Sequence, residues 1–217
     1  NSVSVAEHAI GLILSLARKI PEADKSTKSG KWEKSKFKGM EIEGKTLGIV
    51  GFGKIGYLVA KKATGLGMKV VAYDPFTADE KFTSLGIERA SKPEELYKAA
   101  DFITIHLPKN KETLGMFNKQ EFSKMKKGVI IINSARGGII VEKDLAEAIK
   151  SGQVGGAALD VFESEPCQES PLFEIDKVVC TPHLGASTDE AQDRAGTMIA
   201  EQVDMVLSGK PATFAVN

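Results

Sequence analysis

The segment Gly51-Phe52-Gly53-Lys54-Ile55-Gly56 restricts the fold of this chain more than any other stretch. A GxGxxG turn alone is a weak signal, because glycine-rich turns are common. Its flanks strengthen it. The apolar run Thr46–Val50 before it reads as a strand, and Ile55, Leu58, Val59 and Ala63 after it share one helical face. A second apolar run, Lys69–Tyr73, ends in Asp74-Pro75. Strand, glycine turn, helix, strand and carboxylate in this order make a unit suited to a dinucleotide. The glycines allow a tight turn, close approach of backbone to a pyrophosphate, and close packing of helix on strand. The helix start offers free N–H groups and the positive end of its dipole to phosphates. Asp74 is placed to accept both adenosine ribose hydroxyls and to repel a 2′-phosphate, which favours NAD over NADP. The plainer alternative makes Asp74 a turn residue before Pro75.

The rest of the chain repeats the alternation. Near-continuous apolar runs at 102–106, 128–133, 155–161 and 177–180 read as strands buried on both faces, as in a parallel sheet covered by helices. Between two of them, 141–151 carries Val141, Leu145, Ala148 and Ile149 on one helical face and stops at Gly152. The expected fold is α/β: a doubly wound, mostly parallel sheet of Rossmann type over 46–180, preceded by helices and a connector (1–45) and followed by a C-terminal helix (186–217). Ser4 with Glu7, and Ser187 with Glu190, read as capping boxes, and Pro21 as the opening of a second helix. The 4–18 helix is apolar nearly all round, so it needs partners on more than one side. The last helix carries Ala191, Ala195, Ile199, Val203 and Val206 along one stripe.

Composition narrows the function. Of 217 residues, 29 are Lys or Arg and 29 Asp or Glu, a balance that argues against nucleic acid or an anionic membrane as the main partner. No apolar run reaches membrane-spanning length, and the apolar N-terminal stretch lacks the basic leader of a signal peptide. Cys167 and Cys180 read as reduced thiols of a cytoplasmic protein. The chain opens on Asn1 rather than Met, which reads as a piece of a longer protein.

Three polar residues follow strand ends: Arg136 in NSARGG, Glu165 after Asp160-Val161-Phe162, and His183 in TPHLGAS. Ligands of open α/β sheets bind beyond the carboxyl ends of strands, so all three are expected in one crevice. Removing hydride from a hydroxyl-bearing carbon needs a base for the hydroxyl proton, which suits His183. A carboxylate beside the ring favours imidazolium, and an arginine pairs bidentately with a substrate carboxylate. Each also has a plainer reading: a structural histidine, a solvated acidic loop (Glu163, Glu165, Glu169), a surface ion pair. His106 ends a strand near the expected cofactor, and His8 on the apolar helix reads as structural. No ligand spacing links the three histidines, so no metal is expected.

In order and over essentially the whole chain, GFGKIG, Asp74, NSARGG, ALDVFESEP and TPHLGAST resemble the D-isomer-specific 2-hydroxyacid dehydrogenase family. NSVSVAEH, GKWEKSKFKGMEIEGKTLGIVGFGKIG, PHLGASTDEAQ and the closing AVN most resemble its members that oxidise 3-phosphoglycerate, the first step of serine synthesis. The resemblance implies that Arg136 binds the substrate carboxylate and C2 oxygen, that His183 is the acid/base and that Glu165 is its partner. It puts Gly51, Gly53, Lys54, Ile55 and Gly56 at the pyrophosphate, Asp74 on the ribose, and Leu107 and Pro108 on the adenine side with His106 close by. Ser134, Ala135 and Asp160 would lie near the nicotinamide, Gly185 and Ala186 beside its carboxamide, and Asn1 at a hinge that helps hold a small 2-hydroxy or 2-keto acid. Family members carry a second, substrate-binding domain, built from chain before Asn1 and after the return near Asn217, which these residues lack. The 4–18 helix resembles the family's dimer-forming segment, implying a homodimer or homotetramer. Alternatives are a hydroxypyruvate or glyoxylate reductase, or a non-enzymatic, NAD-sensing corepressor module of the same fold.

Overall fold

A computed structural model describes residues 1–213. The closing AVN and the return near Asn217 lie outside the described residues. Seven strands form one sheet: β1 (Thr46–Val50), β2 (Lys69–Tyr73), β3 (Glu88–Arg89), β4 (Phe102–Ile105), β5 (Val129–Asn133), β6 (Val154–Leu159) and β7 (Val178–Cys180). Their spatial order is β3-β2-β1-β4-β5-β6-β7, and each neighbouring pair is parallel. The expected doubly wound sheet is present. Its order reverses between β1 and β4, so a crevice opens beyond their carboxyl ends. The two-residue edge strand β3 has no apolar run to announce it; both its residues are exposed.

The helices are α1 (Ser2–Arg18), α2 (Ile20–Lys28), α3 (Lys54–Gly65), α4 (Asp79–Thr83), α5 (Pro93–Ala99), α6 (Lys119–Lys124), α7 (Glu142–Lys150) and α8 (Asp189–Leu207). They bury the sheet on two sides. One core joins Leu96, Tyr97, Phe117, Phe122, Leu145 and Ile149 to Ile103, Ile105, Ile131 and Leu159. The other joins Ala6, Ala9, Leu12 and Ile13 of α1 and Val59 and Ala63 of α3 to Leu47, Ile49, Phe102 and Ile132. Alternate residues of β1, β4 and β5 thus face opposite cores, which is why these strands read as unbroken apolar runs. Each such fully buried side chain contributes roughly 1.5–3 kcal/mol of transfer free energy. The all-round apolarity of α1 is met largely within the chain, between α3 and the sheet face of β5, β6 and β7.

Both expected capping boxes are corrected. Asn1, not Ser4, is the N-cap of α1; Ser4 is buried inside the helix and its hydroxyl meets that of Thr188 at 3.0 Å. Glu7 reaches out to Lys62 at 2.8 Å instead of back to the helix start. At α8 the cap is Thr188, whose Oγ1 accepts from Ala191 N at 3.1 Å, so Glu190 stands one position too early to close a box. Pro21 is the second residue of α2 rather than the first. The α8 stripe is not packed on the sheet: Ala191 is buried, but Ile199, Val203 and Val206 are 65%, 51% and 52% exposed.

Candidate active site

The glycine turn begins with local geometry. Gly51 has φ +94°, and a Cβ there would lie 2.5 Å from the His106 carbonyl oxygen; one at Gly56 would lie 2.2 Å from that of Gly51. The turn therefore closes tightly against β4 only with glycine at these positions. At Gly53 a Cβ would meet nothing within 4 Å, so the missing side chain leaves open space above the start of α3. Gly53 is the N-cap and no side chain caps this helix, so its first N–H groups, at Lys54 and Ile55, have no side-chain acceptor. Asp74, half-buried after β2, accepts from Phe52 N at 2.7 Å through Oδ2 and from Phe76 N and Thr77 N through Oδ1. It is thus both the turn residue of the plainer reading and a brace of the glycine turn, with one acceptor position of about four left over.

Beyond the carboxyl ends of the strands lies a cavity of about 880 Å³. It is lined by Asn1, Ile55, His106, Leu107, Pro108, Ser134, Ala135, Arg136, Asp160, His183, Gly185 and Ala186. All twelve are sequence-derived candidates. Ala195, Met198, Ile199 and Val203 of α8 form its far wall. Gly51, Gly53, Lys54, Gly56, Asp74 and Glu165 are not part of its lining; the first five stand at the start of α3 and the end of β2, and Glu165 stands behind His183.

Two buried polar atoms of the lining have no partner among the described residues: His106 Nδ1 and Ser134 Oγ. Among the same residues the Thr104 hydroxyl has no acceptor besides His106 Nε2, at 3.0 Å. It therefore donates to Nε2, and the ring proton sits on Nδ1. Burial pushes the His106 imidazole down to about 4, so the ring is neutral near pH 7. Unmet donors, a helix start without a side-chain cap and the space above Gly53 suit a ligand rich in acceptors and carrying phosphate.

Glu165 and His183 meet directly. His183 Nδ1 is 2.7 Å from Glu165 Oε2, and Glu165 Oε1 accepts from Phe162 N at 3.0 Å. Burial pushes the Glu165 carboxyl up, but the Phe162 N–H and His183 outweigh it and hold the carboxyl below its ordinary range. His183 itself stands at φ +56°, uncommon for a residue with a side chain, and its N–H donates to Asp160 O at 2.8 Å. Arg136 is exposed, with Nη1 donating to Ala135 O at 2.6 Å and no carboxylate in ion-pair range among the described residues. A surface ion pair therefore does not account for it. Gly137 lets this loop touch the next: a Cβ there would sit 1.6 Å from the Phe162 carbonyl oxygen.

Several positioning contacts carried no sequence signal. The stretch around Glu163 is an exposed loop, but not a free one. Glu163 and Glu142 exchange backbone-to-carboxylate bonds at 2.7 and 2.8 Å, and Ser170 Oγ donates to Glu142 at 2.5 Å. This lock fixes the loop that carries Glu165. His8 lies against Asp160 and Thr181.

With this geometry in place, comparison with known proteins gives a family. The family model for the D-isomer specific 2-hydroxyacid dehydrogenase, NAD binding domain, matches residues 10–185. The chain is 52% identical over 217 residues to the D-3-phosphoglycerate dehydrogenase of Mycobacterium leprae, covering all of this chain and 41% of that protein. It is 50% identical over 218 residues to the enzyme of the same name from Archaeoglobus fulgidus, with the same coverage. The holo form of D-mandelate dehydrogenase from Rhodotorula graminis superposes with TM-score 0.93 at 33% identity, over all of this chain and 66% of that one. The chain spans about two-fifths of the length of these curated relatives.

Proposed function

Since the chain belongs to the D-isomer specific 2-hydroxyacid dehydrogenase family, matching its NAD-binding domain, we propose that it binds NAD along the glycine turn and cavity. It then serves hydride exchange between NAD and 3-phosphoglycerate or 3-phosphohydroxypyruvate. The observation that carries the reaction is the Glu165–His183 pair, 2.7 Å apart, beside a cavity also lined by Arg136. The substrate follows from identity to D-3-phosphoglycerate dehydrogenases over the whole chain. In this reading Lys54 and Ile55 contact the pyrophosphate and Asp74 the ribose. Ser134, Ala135, Asp160, Gly185 and Ala186 surround the nicotinamide end, with Leu107 and Pro108 on the adenine side and His106 close by. Bound NAD supplies the hydride acceptor or donor.

The chain's own residues do the rest. Arg136 holds the substrate carboxylate through guanidinium N–H groups not used on Ala135. With Nδ1 turned to Glu165, His183 offers Nε2 to the substrate hydroxyl. Neutral His183 takes the hydroxyl proton in oxidation, and as imidazolium it returns a proton to the C2 oxygen in reduction. Glu165 favours the imidazolium. Arg136 is the only Lys or Arg among the described residues lining the cavity, so the substrate's phosphate needs cations from elsewhere, a role we assign to a second domain. Asn1 would face that domain at the hinge. No helix of the described residues is long and apolar enough to cross a membrane. A cytoplasmic homodimer or homotetramer completes the reading.

The test is a substrate panel on the protein in its full natural form, followed by NADH absorbance. The expected result is the highest kcat/KM with 3-phosphoglycerate. Preference for glyoxylate or hydroxypyruvate would reassign the substrate, and no turnover of any hydroxy acid would refute the enzymatic reading.

A further inference from the structure

Asp160 carries a carboxylate whose side chain is only 1% exposed, at the end of β6. Around it winds the turn that holds His183. Thr181 Oγ1 donates to Asp160 Oδ1 at 2.6 Å, Leu184 N to the same oxygen at 2.7 Å, and Gly185 N to Oδ2 at 2.8 Å. The His183 N–H donates to the Asp160 carbonyl oxygen. The fourth donor to the carboxylate comes from far away in sequence. His8 of α1 places Nε2 3.2 Å from Asp160 Oδ1 and 3.1 Å from Thr181 Oγ1.

The direction of these bonds follows by elimination. An ionised carboxylate only accepts, and the Thr181 hydroxyl spends its proton on Asp160. Both neighbours of Nε2 are therefore acceptors, so Nε2 carries a proton and His8 donates to both. Burial pushes the Asp160 carboxyl up, yet His8, Thr181 and the Leu184 and Gly185 N–H groups outweigh it and hold it below its ordinary range. A buried carboxylate needs its donors: removing one leaves a charge undercompensated, and the turn wound around it loosens. The same face of α1 braces the segment twice more. Ser4 meets Thr188, and Val5 stands where a Cβ on Gly185 would lie 3.5 Å away.

We propose that His8 is a positioning residue for the reaction: from the first helix, its Nε2–H clamps Asp160 and Thr181 and so holds the turn that presents His183. This rests on the reading of His183 as the acid/base. Arg136 and the glycine turn hang on other strands, so the substrate carboxylate and the cofactor's pyrophosphate are held outside this clamp; Asp160 and Gly185 tie it only to the nicotinamide end.

The test compares His8→Leu, which removes the donor, with His8→Gln, whose amide nitrogen can replace Nε2–H. Both are made in the protein in its full natural form. For His8→Leu we expect about tenfold lower kcat, with KM for the hydroxy acid, whose carboxylate is held by Arg136, within twofold. Without any ligand, the Leu184 and Gly185 amides should exchange hydrogen about tenfold faster. His8→Gln should recover most of both losses. Equal losses in the two variants, an unchanged kcat in His8→Leu, or a kcat loss matched by a rise in KM for the hydroxy acid would overturn the proposal. If His8→Leu does not fold, His8→Asn, whose shorter amide does not span both acceptors, takes its place against His8→Gln. His183→Gln in the same series separates the two ideas. If it keeps full activity, the acid/base assignment falls; if it is inactive while His8→Leu is unaffected, only the clamp falls.

Discussion

Replacing Glu165 with Gln removes one charge and leaves a side chain of nearly the same shape beside His183. The side chains of His183 and Glu165 are 52% and 34% exposed, so their 2.7 Å contact is partly screened. An exposed ion pair is worth about 0.2–1 kcal/mol, and a hydrogen bond to a charged group about 1.5–3 kcal/mol. A value between the two ranges, about 1.4 kcal/mol, corresponds to about tenfold in rate. Glu165 stabilises the imidazolium that forms as His183 takes the hydroxyl proton, and the Gln amide oxygen can accept from Nδ1 but brings no charge. Oxidation should therefore slow by about tenfold in Glu165→Gln. The assay is single-turnover hydride transfer followed by NADH absorbance from pH 5 to 9, in the protein in its full natural form, with NADH affinity measured separately. An oxidation rate in Glu165→Gln equal to that of the unsubstituted protein would refute the pairing as a functional one.

Asp74→Asn keeps Oδ1 for the Phe76 and Thr77 N–H groups while removing the charge. Cofactor at ~100 times its Kd stabilises by about 2.7 kcal/mol, so NADH should raise Tm clearly and NADPH little. Asp74→Asn should narrow that difference, and equal shifts in the unsubstituted chain would remove Asp74 from the specificity argument. His106 gives a pH signature of stability. Its ordinary value is 6.5 and burial lowers it to about 4, so below pH 6.5 the unfolded chain takes up a proton that the native chain refuses. Stability is fully present above 6.5 and falls by up to about 3 kcal/mol as pH drops to about 4. Urea unfolding across that window should show a shallower slope for His106→Asn; an unchanged slope would mean that other groups carry the acid sensitivity.

Much of the protein was legible in local pattern. Runs such as 129–132 are apolar at every position because both faces of β5 are covered, and that pattern alone implies a parallel sheet. The glycine turn and Asp74 were readable because their spacing is set by one turn, one helix and one strand. Arg136, Glu165 and His183 were readable as residues just past strand ends; topology brings Arg136 and His183 to one crevice and sets Glu165 behind His183.

Tertiary structure decided what spacing along the chain does not encode. Ser4 and Glu7 have the spacing of a capping box, yet their side chains turn to Thr188 and Lys62, partners 184 and 55 residues away. The α8 stripe reads as a core face, but whether a stripe is covered depends on what lies opposite it. The acidic stretch at Glu163 reads as a free surface loop, yet Glu142 of α7 exchanges bonds with its backbone. His8 looked like a helix residue with a structural role, and only the fold sets its ring against Asp160 and Thr181. Local sequence settles which backbone shape each segment prefers, because torsional preference and periodicity act over a few residues. Which polar groups must satisfy one another is settled only when burial strips their water and leaves distant side chains as the remaining partners.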